Sequence, residues 1–213
     1  MEPMSRTERA ALCNTALEAG EDAPTLCAGW SVKDLVIHLV VRERHPLGAA
    51  GIVLPRLEGL TERSSRRLAG HDFAALVERV RNGPPRWSPT SLPPLDRAVN
   101  TLEFFVHHED VRRATEDWSP RELTDRDQRV LWRSLAVAGR GLVRSTGVPV
   151  SLRWRDGERW RTATMRSGSD PAVVTGEPSE LALLLFGRTR HRGLKYDGPA
   201  DAVAALRGAD LGL

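Results

Sequence analysis

At 213 residues and 40% hydrophobic content, the chain can bury one large core or two small ones. Basic and acidic residues number 31 and 28, a net +3 at pH 7, and the two signs alternate along most of the chain, the pattern of a solvated surface and not of a phosphate-binding groove. Aromatic residues make up 5% and are scattered, which argues against nucleic-acid binding, and no run of about 18 apolar residues offers a membrane span.

The opening stretch, MEPMSRTERAALCNTALEAGEDAP, lacks the apolar centre of a signal peptide and reads as a helix of a cytoplasmic protein. Ser5 followed by Glu8 is a capping-box pattern, and Gly20 stops the run after Ala19. Cys13 and Cys27 have no CxxC spacing, which suits a reducing compartment; both read as buried small hydrophobes. GWSVKDLVIHLVVRERHP repeats the helical logic, with Ser31 and Asp34 as a variant box and Pro46 beyond the end. Shorter amphipathic helices follow at about residues 55–69, weakened by Gly59, and 72–81, before NGPPRWSPTSLPP breaks the chain. Long helices over about 95–114 and 125–145 complete an N-terminal bundle.

The hydrophobic period changes at GVPVSLRWRDGERWRTATM. Val148, Val150, Leu152 and Trp154 alternate with Pro149, Ser151, Arg153 and Arg155, and Asp156-Gly157 supplies a hairpin turn. VVTGEPSELALLLFGR and LKYDGPADAVAALRG each read as strand, turn and helix. The expected fold is therefore α+β: a helical bundle over residues 1–146 and a small α+β domain over 147–213.

The stretch NTLEFFVHHEDVRRA, residues 100–114, concentrates the titratable groups. At about 100° per residue with Glu103 as zero, His107 falls at about 40° and Asp110 at about −20°, on the face shared with Val99, Phe104, Val106 and Val111. His108, at about 140°, lies at the edge of that stripe. An inward glutamate and histidine need partners, because burying an ionised carboxylate costs several kcal/mol, roughly, without one. From spacing alone the pair reads first as a surface Glu–His ion pair; a metal ion is the second explanation, since residues four apart can present an oxygen and a nitrogen to one cation.

A metal would need a third ligand, and His38 offers one. It shares a narrow polar stripe with Asp34 and Arg42 on an otherwise apolar helix, facing either solvent or a cavity. His45 is a spare candidate, while His71 and His191 fall in expected loops and read as solvated. Asp110 either orients His107 or forms a helical salt bridge with Arg113.

GWSVKDLVIHLVVRE followed by EFFVHHEDV resembles the DinB-like, metal-dependent bundle of the mycothiol-dependent maleylpyruvate isomerase superfamily, specifically an actinobacterial metal-binding branch. VTGEPSELALLLFGR resembles the sterol-carrier-like C-terminal domain that accompanies it. The resemblance implies a divalent metal, most often zinc, held by one histidine of the second helix and by a Glu-x3-His pair, which by motif position are His38, Glu103 and His107; it assigns His108 no ligand role. It does not carry the isomerase reaction itself. Three ligands leave a fourth zinc position open, to be filled by water or a thiol that the metal deprotonates.

The expected activity is thus a metal-dependent transfer or isomerisation using a low-molecular-weight thiol of the mycothiol type. The substrate is expected to be electrophilic or anionic; Arg42, one turn from His38, is the first candidate to hold an anionic one, and Arg188, ending LLLFGR, is the second. For either arginine an ordinary solvated position is the alternative. The other function class is a non-catalytic metal-dependent binding or sensing protein, which needs the same three ligands. Substrate, native metal and oligomeric state are not written in these residues.

Overall fold

A computed structural model describes residues 2–44, 58–84 and 95–212. The chain forms two compact units, one of Met1–Arg97 with Glu103–Trp118 and the other of Ala98–Leu102 with Ser119–Leu213. The described helices of the first are α1 (Met4–Ala19), α2 (Val32–Arg44), α3 (Glu58–Ala69), α4 (Phe73–Arg81) and most of α5 (Leu95–Arg112). The second contains α6 (Asp125–Ala138), the strands β1 (Val150–Asp156), β2 (Arg159–Arg166) and β3 (Ala172–Thr175), α7 (Pro178–Leu185), β4 (Lys195–Asp197) and α8 (Ala200–Gly208). The chain is α+β. No helix among the described residues is long and apolar enough to cross a membrane.

In the first unit, α1 packs on α4, and α2 packs on α3 and α4. The shared core gathers Leu12, Leu35, Leu39, Leu76, Val80 and Phe104, all at 1% exposure or less. Apolar side chains of this size contribute about 1.5–3 kcal/mol each on full burial. The capping box at α2 forms as expected: the Ser31 amide and hydroxyl donate to Asp34 Oδ2 at 3.0 and 2.8 Å, and the Asp34 amide donates to Ser31 Oγ at 3.2 Å. The box expected at α1 does not form. That helix begins at Met4, with Pro3 as N-cap and no side-chain cap, because Glu8 turns into the bundle and meets His108 instead. Gly20 ends α1 at φ 88°. Pro46 and most of NGPPRWSPTSLPP lie outside the described residues.

In the second unit the strand order is β2-β1-β3-β4, with β1 and β2 an antiparallel hairpin, β1 and β3 parallel, and β3 and β4 antiparallel. Val150, Leu152 and Trp154 are buried, as their alternation predicts, and Gly157 turns the hairpin at φ 59°. The helix expected over 125–145 stops at Ala138 and continues as two 3₁₀ turns, Gly139–Gly141 and Arg144–Thr146. At Gly139 a Cβ would lie 2.9 Å from Met165 Sδ and 3.2 Å from Leu185 Cδ1, so this backbone runs where side chains of β2 and α7 close on it.

Candidate metal centre

Two helices and one loop of the first unit build the site. The apolar sides of α2 are spent on the core, with Leu35, Val36, Ile37, Leu39, Val40 and Val41 all buried, which leaves the stripe of His38 and Arg42 to face α5. Glu103 Oε1 lies 3.6 Å from His38 Nε2, 3.4 Å from His107 Nε2 and 3.7 Å from Arg42 Nε. A tetrahedral zinc with ligands at 2.0–2.2 Å sets its donor atoms about 3.4 Å apart. The donor set, two imidazole nitrogens and one carboxylate oxygen, and these separations both fit such an ion.

His107 is held from behind. Its Nδ1 lies 2.9 Å from Asp110 Oδ2, which directs Nε2 toward Glu103. Of the two readings open for Asp110, orientation of His107 is the one observed; Arg113 pairs with Glu109 one turn earlier, both almost fully buried.

The electrostatics follow from this packing. Burial holds the His38 imidazole below its ordinary range, with Glu103 opposing, so its nitrogen lone pair is available. Burial would push the Glu103 carboxyl up, but the Arg42 guanidinium, then His107 and His38, hold it well below the usual carboxylate range. Burial also works against a charged His107, yet its hydrogen bonds to Asp110, Cys27 and Glu103 hold it well above the ordinary imidazole range. In the metal-free protein at neutral pH the centre is thus an ionised Glu103 between a neutral His38 and a protonated His107.

His108 departs from expectation. It is not an edge residue but 4% exposed, with Nδ1 3.0 Å from Glu8 Oε2 and Nε2 3.0 Å from Thr15 Oγ1. An edge position on α5 requires one side of the helix to face water, whereas every residue from Phe104 to Val111 is buried and the polar ones find partners inside the bundle. Cys13 is a buried small hydrophobe as expected. Cys27 is not: it is half-buried, with Sγ 3.2 Å from Asp110 Oδ2, and it forms a second group of possible donors with His107 and Asp110. Nothing in its spacing announced this, because the contact spans 83 residues of sequence.

The remaining candidates lie elsewhere. His45 is outside the described residues. His71 is exposed in the turn between α3 and α4, and His191 is half-buried in the second unit. Arg188 also belongs to the second unit, where its Nη1 donates to the Phe186 carbonyl at 2.6 Å and it borders a cleft of about 400 Å³ with Tyr196, Leu206 and Arg207.

Comparison with curated proteins and with solved structures finds no match. The family model described as "Mycothiol maleylpyruvate isomerase N-terminal domain" matches residues 4–136, a span that starts with α1 and contains both α2 and α5 with all three converging side chains. The helical first unit and the sequence match agree, and the chain belongs to this DinB-like family.

Proposed function

We propose that this chain is a divalent-metal-dependent enzyme, with zinc as the best-fitting ion, that uses a low-molecular-weight thiol of the mycothiol type in transfer or isomerisation. The observation that carries the reading is Glu103 Oε1 at 3.4 and 3.6 Å from two imidazole Nε2 atoms. His38, Glu103 and His107 would hold the ion. When bound, zinc with three protein ligands keeps one position for a thiol and lowers its pKa toward neutrality.

The chain's own residues supply the rest. Asp110 fixes the His107 ring and its tautomer, so that Nε2 points into the centre. Arg42 compensates the Glu103 carboxylate and is the first candidate to hold an anionic substrate. Arg188 is a second anion-binding candidate, within a C-terminal sterol-carrier-like domain proposed for residues 147–213. The family's printed description supports the thiol, the alternating charge supports a protein without a nucleic-acid partner, and the absence of CxxC spacing suits a cytoplasmic one.

Cys27 beside His107 favours a second reading, a non-catalytic metal-dependent sensor. The two separate experimentally. Purified protein is analysed for metal per chain after dialysis, then assayed for thiol consumption with electrophilic substrates. One metal per chain with turnover supports the enzyme; one metal without turnover supports the sensor. A chain that retains no metal overturns both.

A further inference from the structure

Trp30 is 37% exposed, one of few large apolar side chains so placed among the described residues. Its ring lies 5.1 Å from that of His38, centroid to centroid, at 49°. His38 in turn meets His107 edge-on at 5.4 Å. The indole therefore stands directly against one of the converging imidazoles.

The backbone that carries it is held by hydrogen bonds. Within the loop, the Thr25 amide and hydroxyl donate to the Trp30 carbonyl at 3.2 and 3.0 Å, and the Trp30 amide donates to the Cys27 carbonyl at 3.0 Å. Gly29, at φ 78°, supplies the left-handed residue that closes this turn. The loop docks on α5 through the Leu26 amide, which donates to the Asp110 carbonyl at 3.0 Å, and through Cys27 Sγ, 3.2 Å from Asp110 Oδ2. One residue, Asp110, thus registers both His107 and the loop that presents Trp30.

The donor set is not sealed from solvent. The side chains of His38, Arg42 and Glu103 are 12–14% exposed, whereas that of Asp110 is 0% exposed. A ligand arriving at the centre meets the partly exposed imidazole and guanidinium, with the indole alongside. An exposed indole gains free energy when a ligand covers it, and an aromatic ligand gains more through ring–ring contact.

We propose that Trp30 is a specificity-determining residue of this site: its indole forms an aromatic wall beside His38, and it selects ligands that carry a planar unsaturated or aromatic group next to their metal-binding atoms. The inference rests on the metal-binding reading above.

Two probes test it. Acetohydroxamate and benzohydroxamate share one metal-chelating group and differ as methyl against phenyl. Both are titrated calorimetrically into the zinc-loaded full chain. The wild type is expected to bind benzohydroxamate about three- to tenfold more tightly than acetohydroxamate. Trp30→Ala should bring the ratio of the two affinities to about one while the chain still retains zinc, and Trp30→Phe should keep most of the preference. Trp30→Leu, which keeps bulk without an aromatic face, replaces the alanine variant if that one loses its circular dichroism signal. A wild type without preference, an undiminished preference in the non-aromatic variant, or a zinc-loaded chain that binds neither probe overturns the inference alone. Failure of the wild type to retain zinc overturns the proposed function, and this inference with it.

Discussion

Asp110 Oδ2 lies 2.9 Å from His107 Nδ1, and the carboxylate is fully buried, so the imidazole has its rear nitrogen occupied and its front nitrogen directed at Glu103. Partners that orient a metal-bound histidine in this way typically matter 10–100-fold, roughly, in affinity. Asp110→Asn keeps the shape and removes the charge. Its zinc affinity, measured by competition with a chromophoric chelator, is expected to fall by that factor with the helical signal unchanged; equal affinities would show that the ring needs no such support.

Adjacent histidines should behave differently. His107→Ala removes a proposed ligand and should abolish stoichiometric zinc. His108→Ala should retain zinc but lose about 1–3 kcal/mol of stability, because the buried Glu8 carboxylate loses its bond to the imidazole. Metal per chain after dialysis and urea unfolding read the two effects separately. Metal loss in both variants, with both folded, would place the site on another face of α5.

Proton release gives a third measurement. Because His107 is held well above the ordinary imidazole range, it carries a proton at neutral pH that a metal at Nε2 must displace. Below that raised pKa, apparent zinc affinity should climb about tenfold per pH unit, and above it the climb should level off. Titration calorimetry at pH 7 in buffers of different ionisation heat should report about one proton released per zinc. Zero protons released would contradict a protonated His107.

Bundle stability has its own ion pair, with Glu43 buried and Arg9 partly so. Arg9 binds Glu43 through two bonds of 2.5 and 2.8 Å, donates to the Val80 carbonyl at 2.7 Å and lies over the Phe104 ring at 4.1 Å. Glu43→Ala removes the carboxylate from a guanidinium that is 12% exposed and keeps its Val80 bond, and is expected to cost about 1–3 kcal/mol in urea unfolding, below the loss on breaking a fully buried pair. A change under 1 kcal/mol, roughly, would mean that water reaches Arg9 readily.

Much of the fold was legible because local rules were obeyed. Ser31 and Asp34 form their box at α2, the inward positions of β1 are buried, and Gly157 turns the hairpin. The errors occur where a local signal met a tertiary demand. Glu8 left its capping role for His108, and the run after Asp125 breaks where Met165 and Leu185 close on Gly139. The change of period near residue 147 marks where the strands begin, whereas packing decides which core α6 joins.

The residues by themselves determined that Glu103 and His107 share one face of a helix and that His38 lies on a polar stripe of another, since a period of about 3.6 residues dictates both. They could not decide what each stripe faces. Only the tertiary structure sets Glu103 Oε1 within 3.6 Å of His38 Nε2, brings Cys27 to Asp110 and encloses His108. These contacts cross 65, 83 and 93–100 residues of chain, a separation at which side-chain periodicity holds no information and the packing of one helix against another determines the neighbour.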